Sequence, residues 1–227
     1  MTGGRDAGCH HGRVDRPTER LERAFFEREV TVVAKDLLGR VIVSGDGSDE
    51  VEVRLTEVEA YRGRDDSASH AFRGPTRRTA VMFGPGGHLY TYFVYGMHWC
   101  ANIVTGPDGN ASAVLLRAGE VVEGEELARS RRAAARVARD LARGPARLTQ
   151  ALAIGPDDKG AHLLDPDSSV RLHRGSAPAA VAAGPRVGIS LATDLPWRFW
   201  DPAAPSVSVF RPGGKPRRRT AGQDGVL

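Results

Sequence analysis

Hydrophobic and polar residues alternate through much of the first half of the chain. Within residues 40–61, the runs VIV and VEVRL flank the stretch GDGSDE, and this pattern predicts two antiparallel strands joined by a turn. Residues 88–105 and 112–121 are rich in β-branched and aromatic residues and are joined through TGPDGNAS, which is typical of further strands. The middle of the chain is therefore predicted to form a mostly antiparallel sheet.

Helical patterns flank this sheet region. Residues 30–40 have apolar positions at helical spacing and a glycine near their end, which predicts a helix that stops there. Residues 123–143 begin with glutamates and continue with arginines, which predicts one long helix, and 146–154 predict a short one. Further strands are predicted at 185–190 and 204–210. Since strands and helices do not alternate regularly, we expect an α+β fold.

The two ends of the chain differ from the rest in composition. Residues 1–20 and 211–227 are rich in Gly, Pro and charge, so we expect two tails around one domain at 21–210. No apolar run approaches the length of a membrane helix and no secretory h-region is present, so a cytoplasmic protein without membrane contact is expected. Cys9 and Cys100 are the only cysteines, and two reduced thiols are the simpler reading.

The charge favours an anionic partner. The chain carries a net charge of +4 with a pI of about 9.4, and only three of its 32 basic residues are lysine. The arginines of residues 123–143 could form a solvated face or contact such a partner, and both readings stay open. A metal site is not expected, because Cys9, His10 and His11 have no second ligand cluster at suitable spacing.

Two carboxylates lie two residues apart in the stretch LTEVEAY. Glu57 and Glu59 are expected to point to one face of a strand, with Tyr61 following on that face. Such a pair either faces water on an edge strand or is buried and needs a compensating partner. A carboxylate that draws a proton from water is also what hydrolysis of a glycosidic bond uses. Arg117, among aliphatic residues in AVLLRAGE, is the candidate counter-charge.

Three of the four tyrosines fall in the single stretch LYTYFVYG. Tyr90 and Tyr92 share one strand face, whereas Tyr95 falls on the other or past the strand end. They could form an ordinary core, but tyrosine brings a hydroxyl that must find a partner, and aromatic faces beside basic residues suit stacking on an unstacked base. The preceding loop is basic and contains His70, which could stack on or hydrogen-bond to such a base.

The motifs TEVEAYRGRDDSASHAFRG, MFGPGGHLYTYFVYGMHWCANIVT and AVLLRAGE closely resemble those of the alkyladenine (3-methyladenine) DNA glycosylase family. The resemblance continues in order through GPARLTQALAI, GPRVGIS and PWRF, from about Phe26 to Val209. It implies a single compact mixed domain around a curved antiparallel sheet flanked by helices, without a helix-hairpin-helix. It also implies excision of damaged purines from double-stranded DNA, with no cofactor and no metal.

The resemblance assigns a role to individual residues. Glu59 matches the general base, and Arg117 with the backbone carbonyl of Val187 matches the groups that hold its water. The other matches are Tyr61 for one wall of the base pocket, His70 and Tyr92 for the other, Asn102 for exclusion of guanine, and Tyr95 for the wedge that fills the vacated stack. Tyr90, which shares a strand face with Tyr92, is added to the base-binding group.

Three further expectations complete the sequence analysis. The family usually has TPRN where this chain has Thr76-Arg77-Arg78-Thr79, a departure that concerns loop rigidity and substrate range. No lysine lies in or near the motif block, so a monofunctional enzyme that does not nick the strand is expected, and we expect it to act as a monomer. The alternatives are a nucleic-acid-binding module without chemistry and an ordinary sugar hydrolase that uses the carboxylate pair.

Overall fold

A computed structural model describes residues 21–94 and 96–214. Residues 1–20 and 215–227, and with them Cys9, His10 and His11, lie outside the described residues, as does Tyr95. The predicted extents of the two tails therefore stay predictions.

The described chain is an α+β fold built on one antiparallel sheet, as the sequence predicts. The helices are α1 Arg23–Phe26, α2 Val30–Leu37, α3 Glu125–Arg131 and α4 Pro145–Ala151. The strands are β1 Val41–Ser44, β2 Val51–Tyr61, β3 Leu89–Val94, β4 His98–Thr105, β5 Ser112–Glu123, β6 Val170–His173, β7 Ala182–Gly184 and β8 Arg198–Trp200. Short 3-10 turns occur at Gly47–Asp49, Gly63–Asp65, Ala80–Phe83 and Ala138–Asp140.

Strand β2 is the centre of the sheet. The strand order is β3-β4-β5-β2-β1-β6, and β7 and β8 add a second connection to β2. The first half of β2 pairs with β1, whereas Glu57, Val58 and Glu59 pair with β8, and β5 runs along the other side. The register between β2 and β5 shifts around Glu57, and such bulges bend a strand and increase its twist. The carboxylate pair therefore lies in a central strand with neighbours on both sides.

Two apolar clusters hold the fold together. The larger lies between the sheet and the helices and includes Phe26, Leu37, Leu55, Ile103 and Leu148, so α2 and α4 bury their apolar faces against the sheet. The smaller lies beneath the long loop between β2 and β3, and it consists of Ala71, Met82, Tyr90, Val104, Ala111 and Ala113. This second cluster attaches the loop that carries His70 to the sheet.

The long helix predicted at 123–143 is wrong. Helix α3 ends at Arg131, and the rest of that segment forms turns. Several arginines donate to backbone carbonyls of this chain instead: Arg131 to Ala151, Arg132 to Leu141, and Arg143 to Val207. These contacts and the burial of Leu141 and Ala142 override the helix propensity of the segment. The arginines therefore do not form one solvated helix face.

The strands predicted at 185–190 and 204–210 are also wrong. Both stretches lack strand structure, while β7 and β8 lie nearby and β6 was not predicted. The backbone N–H of Val187 donates to the Glu59 carboxylate, and that of Ser208 donates to Glu57. Alternating apolar residues indicated a sheet here, but these amides bind side chains rather than a neighbouring strand.

Candidate active site

A cleft of about 400 Å³ opens beside the central strands of the sheet, a size in the range of small-molecule sites. Strands β2, β3, β4 and β5 supply one part of its lining, and loops, a 3-10 turn and the start of α4 supply the rest. The lining includes the following predicted site residues: Glu59, Tyr61, His70, Tyr90, Tyr92, Asn102, Arg117 and Val187. The structure thus brings together side chains that are up to 128 positions apart in sequence.

Glu59 is a fully buried carboxylate on β2 that still reaches the cleft. Its Oε1 accepts from the Val187 backbone N–H at 2.7 Å, and its Oε2 accepts from the Tyr61 hydroxyl at 2.9 Å. Burial raises the pKa of the Glu59 carboxyl, because it disfavours the charged form, and the nearby Arg117 charge opposes that rise. The result is a carboxylate that is a stronger base than an exposed glutamate.

Glu57 has a different environment from Glu59. It is also fully buried, but its oxygens accept four hydrogen bonds, from Arg117 Nε, from Arg198 Nε, and from the backbone and side chain of Ser208. It does not belong to the lining of the cleft. The reading in which the pair faces water on an edge strand is therefore wrong, and the requirement for a compensating partner is confirmed.

Arg117 on β5 contacts both carboxylates. Its Nε lies 2.9 Å from Glu57 Oε1, and its Nη1 lies 3.4 Å from Glu59 Oε1, so both carboxylates lie on one face of β2 as their spacing predicts. Burial alone would lower the pKa of the Arg117 guanidinium, but the two carboxylates raise it overall. Arg117 is thus the counter-charge that the sequence predicts.

Aromatic rings form a second part of the cleft. Tyr90 and Tyr92 on β3 stack with ring centroids 5.7 Å apart, and the His70 ring meets Tyr92 edge-on at 4.5 Å. We call His70, Tyr90 and Tyr92 the aromatic wall. Tyr61 belongs to the same cleft, and the guanidinium of Arg186 lies over its ring at 4.6 Å. Every described tyrosine therefore lines the cleft, and Tyr90 also belongs to the smaller apolar cluster beneath the loop.

Arg78 lies directly behind the aromatic wall. Its Nη2 is 3.1 Å from His70 Nε2 and 3.2 Å from Nδ1, and its Nε donates to the Tyr90 hydroxyl at 3.3 Å. Partial burial and the Arg78 charge lower the pKa of His70 to about 4, so the imidazole is neutral at pH 7. The basic character of the loop pointed to phosphate, and nothing in the sequence indicated this contact with His70.

Two other residues line the cleft: Asn102, which the sequence analysis predicts as a site residue, and Cys100, which it does not. Asn102 is buried on β4 and its amide nitrogen donates to the Tyr90 carbonyl at 3.2 Å. Cys100, two residues earlier, also lines the cleft and is hydrogen-bonded to Tyr92; burial raises the pKa of its thiol. Period-2 spacing along β4 places Cys100 and Asn102 on one face, a signal that could have identified the cysteine.

Lys159 lies closer to this site than the sequence predicts. Its Nζ is 5.9 Å from the centroid of the Tyr90 ring and donates to the Arg78 carbonyl at 2.8 Å. The expectation that every lysine lies away from the motif block is therefore wrong for Lys159. Neither Lys35 nor Lys159, the two lysines of the described residues, lines the cleft.

Within residues 21–94 and 96–214, no group of three or more His, Cys, Asp and Glu side chains is placed to hold a metal ion. None of the helices described is long and apolar enough to cross a membrane.

Comparisons with known proteins give the same assignment along most of the chain. Residues 24–205 match the family model described as methylpurine-DNA glycosylase (MPG). Three relatives share the name "Putative 3-methyladenine DNA glycosylase". The Streptomyces avermitilis protein is 51% identical over 88% of this chain and 96% of the relative. The Nocardia farcinica protein is 54% identical over 78% and 85%, and the Burkholderia lata protein is 50% identical over 83% and 90%. The chain therefore belongs to the methylpurine-DNA glycosylase family.

Proposed function

We propose that this protein is a monofunctional 3-methyladenine DNA glycosylase that excises alkylated purines from duplex DNA. The observation that carries the proposal is a buried carboxylate, Glu59, in the lining of a cleft that the aromatic wall also lines. A binding module gains nothing from a carboxylate at this position, because it opposes phosphate binding. For hydrolysis, a carboxylate with a raised pKa is a suitable base.

The reaction is hydrolysis of the N-glycosidic bond. Glu59 takes a proton from a water molecule as the water oxygen forms a bond to C1′ of the deoxyribose. The bond between C1′ and the purine nitrogen breaks, and its electron pair goes to the base. A purine alkylated on a ring nitrogen is cationic, so it leaves as a neutral molecule without being protonated. The products are the free base and an abasic site.

Arg117 and Val187 orient Glu59, the general base that takes the proton from water. The Val187 N–H and the Tyr61 hydroxyl fix the two oxygens of Glu59, and the Arg117 charge favours the ionised form. The resemblance assigns the Val187 carbonyl to the water, and we retain this as part of the proposal. Positioning of this kind lowers the barrier, because the water and the carboxylate are already ordered before the transition state and lose little further entropy in reaching it.

The aromatic wall suits a flipped, cationic base. Extruding a nucleotide costs a few kcal/mol, and stacking on Tyr92 and His70 offsets that cost. A cation is attracted to the electron-rich faces of aromatic rings, and the neutral His70 does not repel it. Within the same scheme, Asn102 disfavours guanine and Tyr95 fills the vacated stack. We further propose a monomer that acts in the cytoplasm, where it reaches the nucleoid.

The geometry favours this function over the sugar hydrolase. A retaining or inverting glycosidase needs two carboxyl groups that both reach the substrate. Of the described acidic residues, Glu59 lines the cleft, whereas Glu57 is enclosed by four donors. The second carboxylate is therefore unavailable as the acid that a sugar leaving group needs.

Single-turnover release of free base from defined duplex DNA tests the proposal. Duplexes that contain one 3-methyladenine, 7-methylguanine or hypoxanthine are incubated with excess enzyme and no added metal. We expect release by the wild type and at least a hundredfold slower release by Glu59→Gln, in line with loss of a general base. Glu125→Gln, which removes an exposed carboxylate on α3, is the matched control and should release base at the wild-type rate.

Two results would contradict the proposal. Tight lesion binding by the wild type without release of any base would indicate a binding module. A covalent adduct with DNA after borohydride treatment would indicate attack by an amine, and Lys159 would then be the first lysine to replace, because it lies nearest the aromatic wall among the described residues.

A further inference from the structure

Glu57 is a fully buried carboxylate next to the cleft that accepts four hydrogen bonds. Its Oε1 accepts from Arg198 Nε at 2.7 Å, from Arg117 Nε at 2.9 Å and from the Ser208 hydroxyl at 2.9 Å. Its Oε2 accepts from the Ser208 backbone N–H at 2.6 Å. A buried carboxylate requires such partners, but they come from β5, from β8 and from the segment after β8. Glu57 thus joins three separate elements at one point.

The contacts of Glu57 determine which part of Arg117 remains for the cleft. The Nε of Arg117 is bound by Glu57, and its Nη2 donates to the Ser208 hydroxyl at 3.3 Å. The Nη1 then faces Glu59 Oε1 at 3.4 Å. Because a guanidinium is planar and rigid, fixing two of its nitrogens fixes the third. The contacts of Arg117 with Glu57 and Ser208 therefore determine how its charge is directed toward Glu59, and neither of these two residues lines the cleft.

The same segment is connected to the loop that carries Val187. Arg198 Nη2 donates to the Ser208 carbonyl at 2.9 Å, and the Gly188 N–H donates to the Arg211 carbonyl at 3.0 Å. Ser208 and Arg211 lie after the last residue of the family match, which ends at 205. The segment beyond the matched region therefore supports both groups that contact Glu59 from outside β2.

We propose that Glu57 and Ser208 are positioning residues that hold Arg117 in place for catalysis by Glu59. This inference rests on the proposed glycosylase function. Two carboxylates and two guanidinium groups form the cluster, so Arg117 shares its charge between Glu57 and Glu59. An arginine without Glu57 would turn fully toward Glu59 and weaken it as a base. Glu57 thus keeps Glu59 basic while it keeps Arg117 oriented.

The electrostatic surroundings of Glu59 agree with this role. The groups that face it are Glu57 and Tyr61 from β2, Arg117 from β5, and the Val187 N–H from the loop. Tyr92 and Cys100 also line the cleft, and the Glu59 charge raises the pKa of each. Glu57 raises the pKa of Glu59, whereas Arg117 lowers it. Removing the Glu57 charge should therefore lower the pKa of Glu59.

The test measures single-turnover base release against pH for wild type and Glu57→Gln. We expect the variant to lower the plateau rate by about 10- to 100-fold, as misorientation of a reacting group does. We also expect the acid limb of the profile to move to lower pH. Affinity for lesion DNA should not change, because Glu57 does not line the cleft. Glu120→Gln, which breaks the Arg54 ion pair elsewhere on the sheet, is the control and should leave both quantities unchanged.

A second pair of variants covers the case in which Glu57→Gln does not fold. Ser208→Ala removes the hydroxyl that bridges Glu57 and Arg117, and Ser208→Thr restores it. We expect a loss of about three- to tenfold for the alanine variant, the net value of one ordinary hydrogen bond, because Glu57 keeps its other three donors. The threonine variant should recover this loss. A folded Glu57→Gln with the wild-type rate and acid limb would overturn the proposal. Equal rates and limbs in wild type and both Ser208 variants would do the same.

Failure of the proposed function gives a different result from failure of this inference. If the wild type releases no base, the glycosylase proposal fails, and the carboxyl carbon of Glu59 is titrated by NMR in wild type, Glu57→Gln and Ser208→Ala. A lower midpoint in the variants would still support the positioning of Arg117 by Glu57 and Ser208. The same midpoint in all three proteins would reject it.

Discussion

The two parts of the cleft are built in different ways. Glu59 and Arg117 lie on β2 and β5, adjacent central strands, and both side chains are almost completely buried. The aromatic wall instead includes His70, which lies in a long loop and is only partly buried, with the exposed Arg78 in contact with its ring. Under the proposed function, the groups that must stay within a fraction of an ångström of the reacting atoms are on rigid elements. The groups proposed to receive the base are partly on a loop, where sequence and shape can change more easily.

One buried ion pair connects two of the loops around the cleft. Arg186, next to Val187, donates to both oxygens of Asp66 at 2.5 and 2.9 Å, and neither side chain is exposed. Asp66 also accepts from the Ala68 N–H, so it organises the backbone shortly before His70. The pair connects the loop that carries His70 to the loop that carries Val187.

The largest expected effect comes from breaking this connection. Asp66→Asn leaves Arg186 buried without its counter-charge, and we expect the free energy of unfolding to fall by about 3–5 kcal/mol. Urea unfolding at pH 7 measures this loss. Asp36→Asn is the matched control, because Asp36 pairs with Arg28 at the surface, and its loss should be at most about 1 kcal/mol. Losses of equal size in the two variants would show that the Asp66 pair has no special role.

A smaller effect is expected from the aromatic wall itself. Tyr92→Leu removes a ring on which a base can stack, so affinity for lesion DNA should fall by about 1–3 kcal/mol. Tyr92→Phe retains the ring and loses only the hydroxyl contact with Cys100, so its affinity should stay near that of wild type. Fluorescence titration with Glu59→Gln as the background prevents turnover during the measurement. If phenylalanine weakens binding as much as leucine does, the hydroxyl rather than stacking determines the affinity.

The carboxylates of β2 and the arginine of β5 could be predicted from the sequence, because the spacing that identifies them lies within one strand. Spacing of two residues placed Glu57 and Glu59 on one face, and an arginine among aliphatic residues required a counter-charge, which proved to be these carboxylates. The sequence could not separate their roles, because the donors to Glu57 come from Arg198 and Ser208, far along the chain. The α+β class, α2 and the paired strands β1 to β5 were confirmed for the same local reason.

The contacts of the loops around the cleft could not be predicted, because they join residues that are far apart in the sequence. Asp66 and Arg186 are 120 positions apart, and nothing near either residue indicates the other. Lys159 reaches the Arg78 carbonyl over 81 positions, which the spacing of motifs does not reveal. The stretches at 185–190 and 204–210 were predicted as strands, but the Val187 and Ser208 amides within them bind the two glutamates. Side-chain acceptors thus replaced the strand partners that the pattern implied.

The smallest expected effect concerns the charge of His70. The structure gives this histidine a pKa of about 4, lowered by partial burial and by Arg78. Arg78→Gln removes the second cause, so the pKa should rise but stay below its ordinary value, because the burial remains. Between the ordinary value and 4, the unfolded wild type binds a proton that the folded wild type does not, so its stability falls as the pH falls. That fall should be shallower in the variant.

NMR titration of the His70 ring measures the first effect, and unfolding between pH 7 and pH 4 measures the second. The same variant should bind DNA with cationic 7-methylguanine less well at pH 5 than at pH 7, because a protonated His70 repels a cation. Binding of DNA with neutral hypoxanthine should show a smaller loss over the same pH range. Arg73→Gln, in the same exposed loop but without a contact to His70, controls for the loss of a positive charge near DNA. Arg78→Gln and Arg73→Gln could instead reduce binding equally at both pH values and for both lesions. In that case Arg78 acts on phosphate alone and does not control the charge of His70.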